Sequence, residues 1–256
     1  MAFDGWKVLV TGASRGIGAA SARALLDAGA QVALAGRDEG ALAAVADSHE
    51  RATTLSAELT DAEARDGLVD RAAEALGGLD GLVLAAGVAM HMPFEALTED
   101  AIRRQLDLNL VAPLMLVRRA LPALREGHGS VVLIGSTLAD RPAPTTSAYA
   151  ASKAGLHTAT RALAAELAPA IRVNAVSPGV VDTAMTRALR LAPGEPMPQG
   201  AELESRVEEQ LEELRRLHPL GRLGTPEAIA EAALHLLGAE WTTGAILTVD
   251  GGLSAS

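Results

Sequence analysis

A phenol and an ammonium stand four residues apart in Tyr149-Ala150-Ala151-Ser152-Lys153, in a chain of 256 residues that has one tyrosine and two lysines. On a helix that spacing puts both groups on one face, where they can meet. A tyrosine hydroxyl ordinarily titrates near about 10, and a neighbouring cation favours its ionised form, which suits it to donate and accept protons. A buried tyrosine beside a solvated lysine has the same spacing, so the pair must be weighed with its surroundings. Positive charge is otherwise written as arginine, apart from Lys7, and asparagine occurs only at Asn109 and Asn174. A composition that strips these types elsewhere directs attention to the places where they remain.

A second pattern suits an anion. Thr11-Gly12-Ala13-Ser14-Arg15-Gly16-Ile17-Gly18 runs from an aliphatic stretch into a helical one. Glycines there allow a tight turn, close approach by a ligand backbone, and close helix-on-strand packing. The helix start offers free N–H groups and a partial positive charge to a pyrophosphate. At the end of the next strand the chain reads Ala35-Gly36-Arg37, with no acid before the arginine to hold ribose hydroxyls. Two guanidiniums, Arg15 and Arg37, suit a 2′-phosphate, which they can grip bidentately. The expected ligand is therefore NADP(H) rather than NAD(H), with NAD(H) the alternative.

The elements needed to position these groups are legible. Aliphatic runs predict strands at 7–11, 31–36, 53–57, 81–85, 130–135, 171–177 and 245–249. Helical patterns lie between them at 16–28, 38–48, 61–76, 99–125, 148–168 and 226–238. Near-continuous apolar strands such as Val131-Val132-Leu133-Ile134 suit a parallel sheet buried on both faces. The alternation predicts an α/β fold: a doubly wound, mostly parallel seven-stranded Rossmann sheet in one domain over 1–256. Thr60 with Glu63 reads as a capping box, and Thr225-Pro226 as a cap before a first-turn proline. The segment 183–220 breaks the rhythm with Pro193-Gly194-Glu195-Pro196-Met197-Pro198, then a helix with Leu203, Val207, Leu211 and Leu214 on one face. It reads as a lid over the strand ends, or else as a plain surface helix.

Formal net charge is −10 with no basic stripe, which argues against nucleic acid. The absence of cysteine excludes disulfides and thiolate metal sites. No apolar run reaches membrane-spanning length, so a soluble cytoplasmic protein is expected. Six histidines show no zinc-type spacing, and no metal is expected; most are read as surface or half-buried. Met90, His91, Met92 and Met185 follow strand ends, where they line a substrate pocket or simply begin loops.

Taken together, the chain resembles the short-chain dehydrogenase/reductase family, in the single-domain branch similar to 3-oxoacyl-carrier-protein reductases. The likeness rests on the Thr11–Gly18 turn, Leu108-Asn109-Leu110, Ser136, Tyr149 with Lys153, Ser177-Pro178-Gly179, and the tail from Pro219-Leu220-Gly221-Arg222 to Val249-Asp250-Gly251-Gly252. The resemblance implies hydride transfer between a nicotinamide cofactor and a carbonyl or alcohol. Tyr149 would be the acid and base. Lys153 would hold the nicotinamide ribose and lower the phenol pKa. Ser136 would orient the substrate oxygen, and Asn109 would anchor a water. Cofactor contacts implied are Gly12, Ser14, Arg15, Gly16, Ile17, Gly18, Arg37, Glu58, Leu59, Ala86, Gly87, Tyr149, Lys153, Pro178, Gly179, Val181 and Thr183. It also implies a homotetramer, and the apolar helices at 99–125 and 148–168 agree with association.

Two departures stand out. Leu84-Ala85-Ala86-Gly87 replaces the family's common Asn-Asn-Ala-Gly, and Glu58 stands where an aspartate often meets the adenine. A dinucleotide sensor or scaffold without catalysis is the competing function, since fold does not prove activity. Small and aliphatic residues around the expected pocket suggest an uncharged or modestly polar carbonyl substrate.

Overall fold

In the computed structural model, which describes residues 3–191 and 194–255, seven strands pair side by side. They are β1 (Lys7–Thr11), β2 (Gln31–Gly36), β3 (Ala52–Ser56), β4 (Gly81–Leu84), β5 (Ser130–Ile134), β6 (Arg172–Pro178) and β7 (Ile246–Val249). Their order across the sheet is β3-β2-β1-β4-β5-β6-β7, and every pairing is parallel. The expected doubly wound α/β fold is the one observed. The chain steps outward from β1 to β3 and returns to β4 on the other side. The sheet therefore opens a crevice at the carboxyl ends of β1 and β4, where such folds place ligands.

Alternating side chains feed two core layers. Leu9, Leu82 and Leu133 point into one, with Leu68 and Ala72 of α3 (Ala62–Leu76) and Leu116 and Ala120 of α5 (Ala112–Glu126). Val8, Val10, Val83 and Val132 point into the other, with Ala22 and Leu25 of α1 (Gly16–Asp27) and Ala233 and Leu236 of α9 (Pro226–Gly238). All five residues of β5 are buried, which is why it reads as a continuous apolar run. The remaining helices are α2 (Glu39–Ala46), α4 (Glu99–Leu106), α6 (Ser147–Leu167), α7 (Ala184–Arg187) and α8 (Gly200–Arg216).

Three expectations need correction. The helix expected over 99–125 is interrupted by a π-turn, Asp107–Val111, which separates α4 from α5. Pro113 has no N–H to offer the carbonyl of Asn109 four residues back, so the regular ladder cannot continue there. The cap of α3 is Asp61, whose Oδ1 accepts from Ala64 N at 2.7 Å. Thr60 instead gives its hydroxyl to Glu58 Oε1 at 2.9 Å, so no capping box forms. Strands β3 and β6 shift by one residue, and β4, β5 and β7 are each one residue shorter than expected. The Thr225 cap of α9 is present, accepting from Ala228 N at 3.2 Å.

The irregular segment carries the short helix α7 and then α8, whose Leu211 and Leu214 pack with Leu223 and, at the edge, Val180 and Val207. This is the apolar face read from the sequence. Arg215 pairs with Glu208 and Glu212 along its outer side. Pro193, which opens the proline- and glycine-rich stretch, lies outside the described residues. No helix among the described residues is long and apolar enough to cross a membrane.

Candidate active site

The glycine turn lies flat against the end of β4. Gly12 has φ 66°, and a side chain there would come within 2.8 Å of Ala86 N. A Cβ on Gly18 would sit 2.3 Å from the Gly12 carbonyl oxygen, so only hydrogen lets α1 begin against the turn. Arg15 occupies the N-cap position of α1 without a capping side-chain bond, which leaves the first backbone N–H groups for a ligand. Ser14 meets Gly36 at the end of β2, and Thr183 Cγ2 comes 3.3 Å from where a Cβ on Gly16 would lie. A flat floor, free amides and a threonine overhead fit a dinucleotide pyrophosphate.

Beyond this turn the catalytic candidates converge. Tyr149 and Lys153 lie one turn apart on α6, with Lys153 Nζ 5.8 Å from the centre of the tyrosine ring. Lys153 is buried and donates to Ile134 O at 2.7 Å, across to the end of β5. Ser136 follows β5 and its Oγ accepts from Leu138 N at 3.2 Å. Asn109, in the π-turn, clamps the loop after β4: Oδ1 accepts from Val88 N at 2.9 Å, and Nδ2 donates to Val88 O at 2.8 Å. Its Nδ2 also reaches Ser152 Oγ at 3.1 Å, and Ser152 in turn donates to Tyr149 O at 2.6 Å. Gly87 passes between them, its missing side chain leaving room beside Asn109 Oδ1 and Lys153 Nζ.

Electrostatics corrects one expectation. Burial pushes the Tyr149 phenol above its ordinary range, and a side-chain hydrogen bond with Ser136 opposes this. The ammonium does not make the phenol acidic here. Lys153 is itself desolvated, its pKa brought down to about 8, and it bonds a carbonyl rather than the phenol. In this arrangement Tyr149 is a protonated donor at neutral pH.

The structure brings Asn109, Ser136, Tyr149 and Lys153 together, with Gly12, Ser14, Gly16, Ile17, Gly18, Ala86 and Gly87 alongside. Pro178 ends β6, Gly179 packs against Asp250, and Val181 bridges to Gly224, which binds the tail motif to this side of the sheet. Arg37 reaches Glu58 in an exposed ion pair of 3.4 Å, and Leu59 beside it is buried in the core. Glu58 is held below its usual range: burial works against this, and bonds from Thr60 and Arg37 outweigh it. Arg15 is exposed, with no ion-pair partner among the described residues.

Sequence reasoning missed Ser152, although it lies inside the quoted pentapeptide three residues after Tyr149. Most histidines are surface or half-buried as expected, namely His49, His91, His128 and His235, while His157 and His218 are buried. His218 accepts from Val180 N at 3.2 Å and its Nδ1 bonds Leu214 O at 2.8 Å, tying α8 to the end of β6. His157 packs against Gly135, with Nδ1 3.3 Å from Asp140. Among the described residues, no three acidic or histidine side chains gather as a metal site would need.

The family model described as enoyl-(acyl carrier protein) reductase matches residues 12–254. The chain is 37% identical to cis-4-hydroxycyclohexanecarboxylate dehydrogenase of Sinomonas cyclohexanicum, covering 96% of each chain. It is 38% identical to galactitol 2-dehydrogenase (L-tagatose-forming) of Cereibacter sphaeroides, covering 97% of this chain and 95% of that one. A crystal structure of a short-chain dehydrogenase/reductase, glucose/ribitol dehydrogenase, from Brucella melitensis superposes with a TM-score of 0.86 at 34% identity, covering 98% of each chain. Fold and similarity agree: the chain belongs to the short-chain dehydrogenase/reductase family, and is an oxidoreductase that uses a nicotinamide cofactor on alcohol and carbonyl groups.

Proposed function

We propose that the protein interconverts a secondary alcohol and a ketone with NADP(H), using Tyr149 as acid and base. The observation that carries this is the convergence of the half-buried Tyr149, its hydrogen-bond partner Ser136 and the buried Lys153 at the strand ends next to the glycine turn. The cofactor, when bound, supplies or accepts the hydride. As hydride arrives, negative charge develops on the substrate oxygen, and Tyr149 gives it a proton while Ser136 holds it in line. Lys153 would hold the nicotinamide ribose with its ammonium. Asn109 fixes the loop after β4 and, through Ser152, the turn of α6 that carries Tyr149. Its main-chain carbonyl, which Pro113 cannot satisfy, is the proposed anchor for a water behind Lys153.

NADP(H) preference rests on Arg15 and Arg37. An exposed ion pair such as Arg37–Glu58 contributes little, about 0–1 kcal/mol, so Arg37 is free to turn to a 2′-phosphate. The segment 183–220 acts as the lid, since Thr183 rests on the glycine turn and α8 has its own small core. The reading includes a cytoplasmic homotetramer, supported by apolar side chains left on the surface, among them Val111, Phe94 and Trp241.

The test is steady-state turnover of cis-4-hydroxycyclohexanecarboxylate, galactitol and a panel of ketones with each cofactor. Turnover at least tenfold faster in kcat/KM with the phosphorylated cofactor is expected, and Arg37→Ala narrows the difference. Turnover favouring NADH overturns the cofactor assignment. Absence of hydride transfer with any member of the panel overturns the activity.

A further inference from the structure

Ser136 opens a tight turn just after β5. Gly135 N donates to Val176 O at 2.7 Å, and Ser136 O accepts from Ala139 N at 3.0 Å. Thr137 O then accepts from Asp140 N at 3.2 Å and from Arg141 N at 2.9 Å, which closes the turn. One side chain meets both ends of it. His157 lies two turns along α6 from Tyr149 and one from Lys153, and is 2% exposed. Its ring fills the space that a side chain on Gly135 would need, since a Cβ there would collide with His157 Nε2 and Cδ2. On its other edge, Nδ1 lies 3.3 Å from Asp140 Oδ2, at the far end of the turn. Neither ring nitrogen makes a geometrically sound hydrogen bond. An apolar side chain would fill the same hole without the cost of burying unbonded nitrogens, so packing alone does not account for a histidine here. Burial, with the charges of Arg161 and Lys153, holds the imidazole below its ordinary range, and Asp140 opposes this. The Asp140 side chain is 65% exposed, so the core does not need it either.

We propose that His157 and Asp140 are positioning residues for the reaction, together fixing the turn that presents the Ser136 hydroxyl to the substrate oxygen. The ring sets the start of the turn from behind Gly135, and the carboxylate ties its end to the same ring. This rests on the hydride-transfer reading above. The pair acts through Ser136 and moves no proton itself. Tyr149, Lys153 and His157 follow one another at four-residue spacing, so a single face of α6 carries the proton donor, the ammonium and the support for the serine.

The test is a double-mutant cycle in kcat, run at saturating NADPH with a ketone that the enzyme reduces. His157→Leu keeps bulk behind Gly135 and removes the nitrogens, while Asp140→Ala removes an exposed carboxylate and leaves the core intact. We expect kcat to fall about tenfold in His157→Leu and about three- to tenfold in Asp140→Ala, as for a small misplacement of the hydroxyl. In a Ser136→Ala background neither substitution lowers kcat by more than about twofold further, because the group they position is gone. An equal fractional loss with and without the Ser136 hydroxyl, or wild-type kcat in either variant, overturns the proposal. If no ketone is reduced, or Ser136→Ala is as fast as wild type, the activity reading fails and amide hydrogen exchange with NADPH present decides the positioning. Faster exchange at Ala139 and Arg141 in both His157→Leu and Asp140→Ala upholds the hold on the turn; unchanged exchange in either overturns it.

Discussion

The wall that carries Tyr149 and the segment that faces it are built on opposite terms. On the catalytic wall the polar groups are spoken for: Asn109 makes three side-chain bonds, Ser152 passes one on to the α6 backbone, and Lys153 is tied to β5. All of it rests on a sheet whose core residues have almost no exposure. Across the crevice, α8 stands on a cluster centred on Leu211, Leu214 and Leu223, with ion pairs on the outside and Met185 and Met197 exposed. On the proposed function, the difference separates two jobs. Proton transfer needs atoms held in place before the substrate arrives, whereas substrate selection tolerates, and uses, a segment of low local stability.

Substitutions can break that contrast. Gly18→Ala is expected to be the most damaging, because the added carbon would lie 2.3 Å from a backbone oxygen that cannot retreat. We expect a loss of about 3 kcal/mol or more in chemical denaturation, and loss of cofactor binding by titration. Asn109→Ala leaves Val88 N–H and C=O without their partner, for a loss of about 2–3 kcal/mol and a tenfold or greater fall in kcat. Leu211→Ala, though equally buried, sits in a small cluster that can collapse. We expect about 2 kcal/mol locally, a smaller shift in global denaturation, and an effect on KM rather than kcat. If Leu211→Ala instead lowers kcat as strongly as Asn109→Ala, the two walls are not separate.

A gentler probe is pH. Lys153, brought down to about 8 by burial, is an ammonium below that value and neutral above it. Carbonyl reduction is therefore expected to lose kcat/KM as pH rises through about 8, while Lys153→Arg removes that limb together with most of the activity. A profile flat to pH 10 would show that the lysine charge is not used.

How much of this could be read from residue order varies with the range of the interactions. The sheet was readable because strands buried on both faces must be aliphatic throughout, as β5 is. The glycine turn was readable because its residues are adjacent in sequence. The π-turn was legible only in part: Pro113 marks where the ladder must break, but the bonds from Asn109 to Val88, 21 positions away, belong to the assembled fold. The α3 cap was misassigned because Thr60 and Asp61 are both good caps, and Glu58 decides between them by taking the threonine hydroxyl. The acidity of Tyr149 was misjudged for the same kind of reason. Spacing along a helix gives proximity to Lys153, but burial, and the pull of Ile134 O on the ammonium, are properties of the assembled fold.

The assignment of Tyr149 as proton donor is tested most directly by Tyr149→Phe, assayed for single-turnover hydride transfer beside a cofactor titration. The substitution removes one oxygen and leaves the ring. The account predicts that turnover falls by about 10²–10⁴-fold while cofactor affinity stays within a few-fold of wild type. Near-normal turnover in that variant would contradict it.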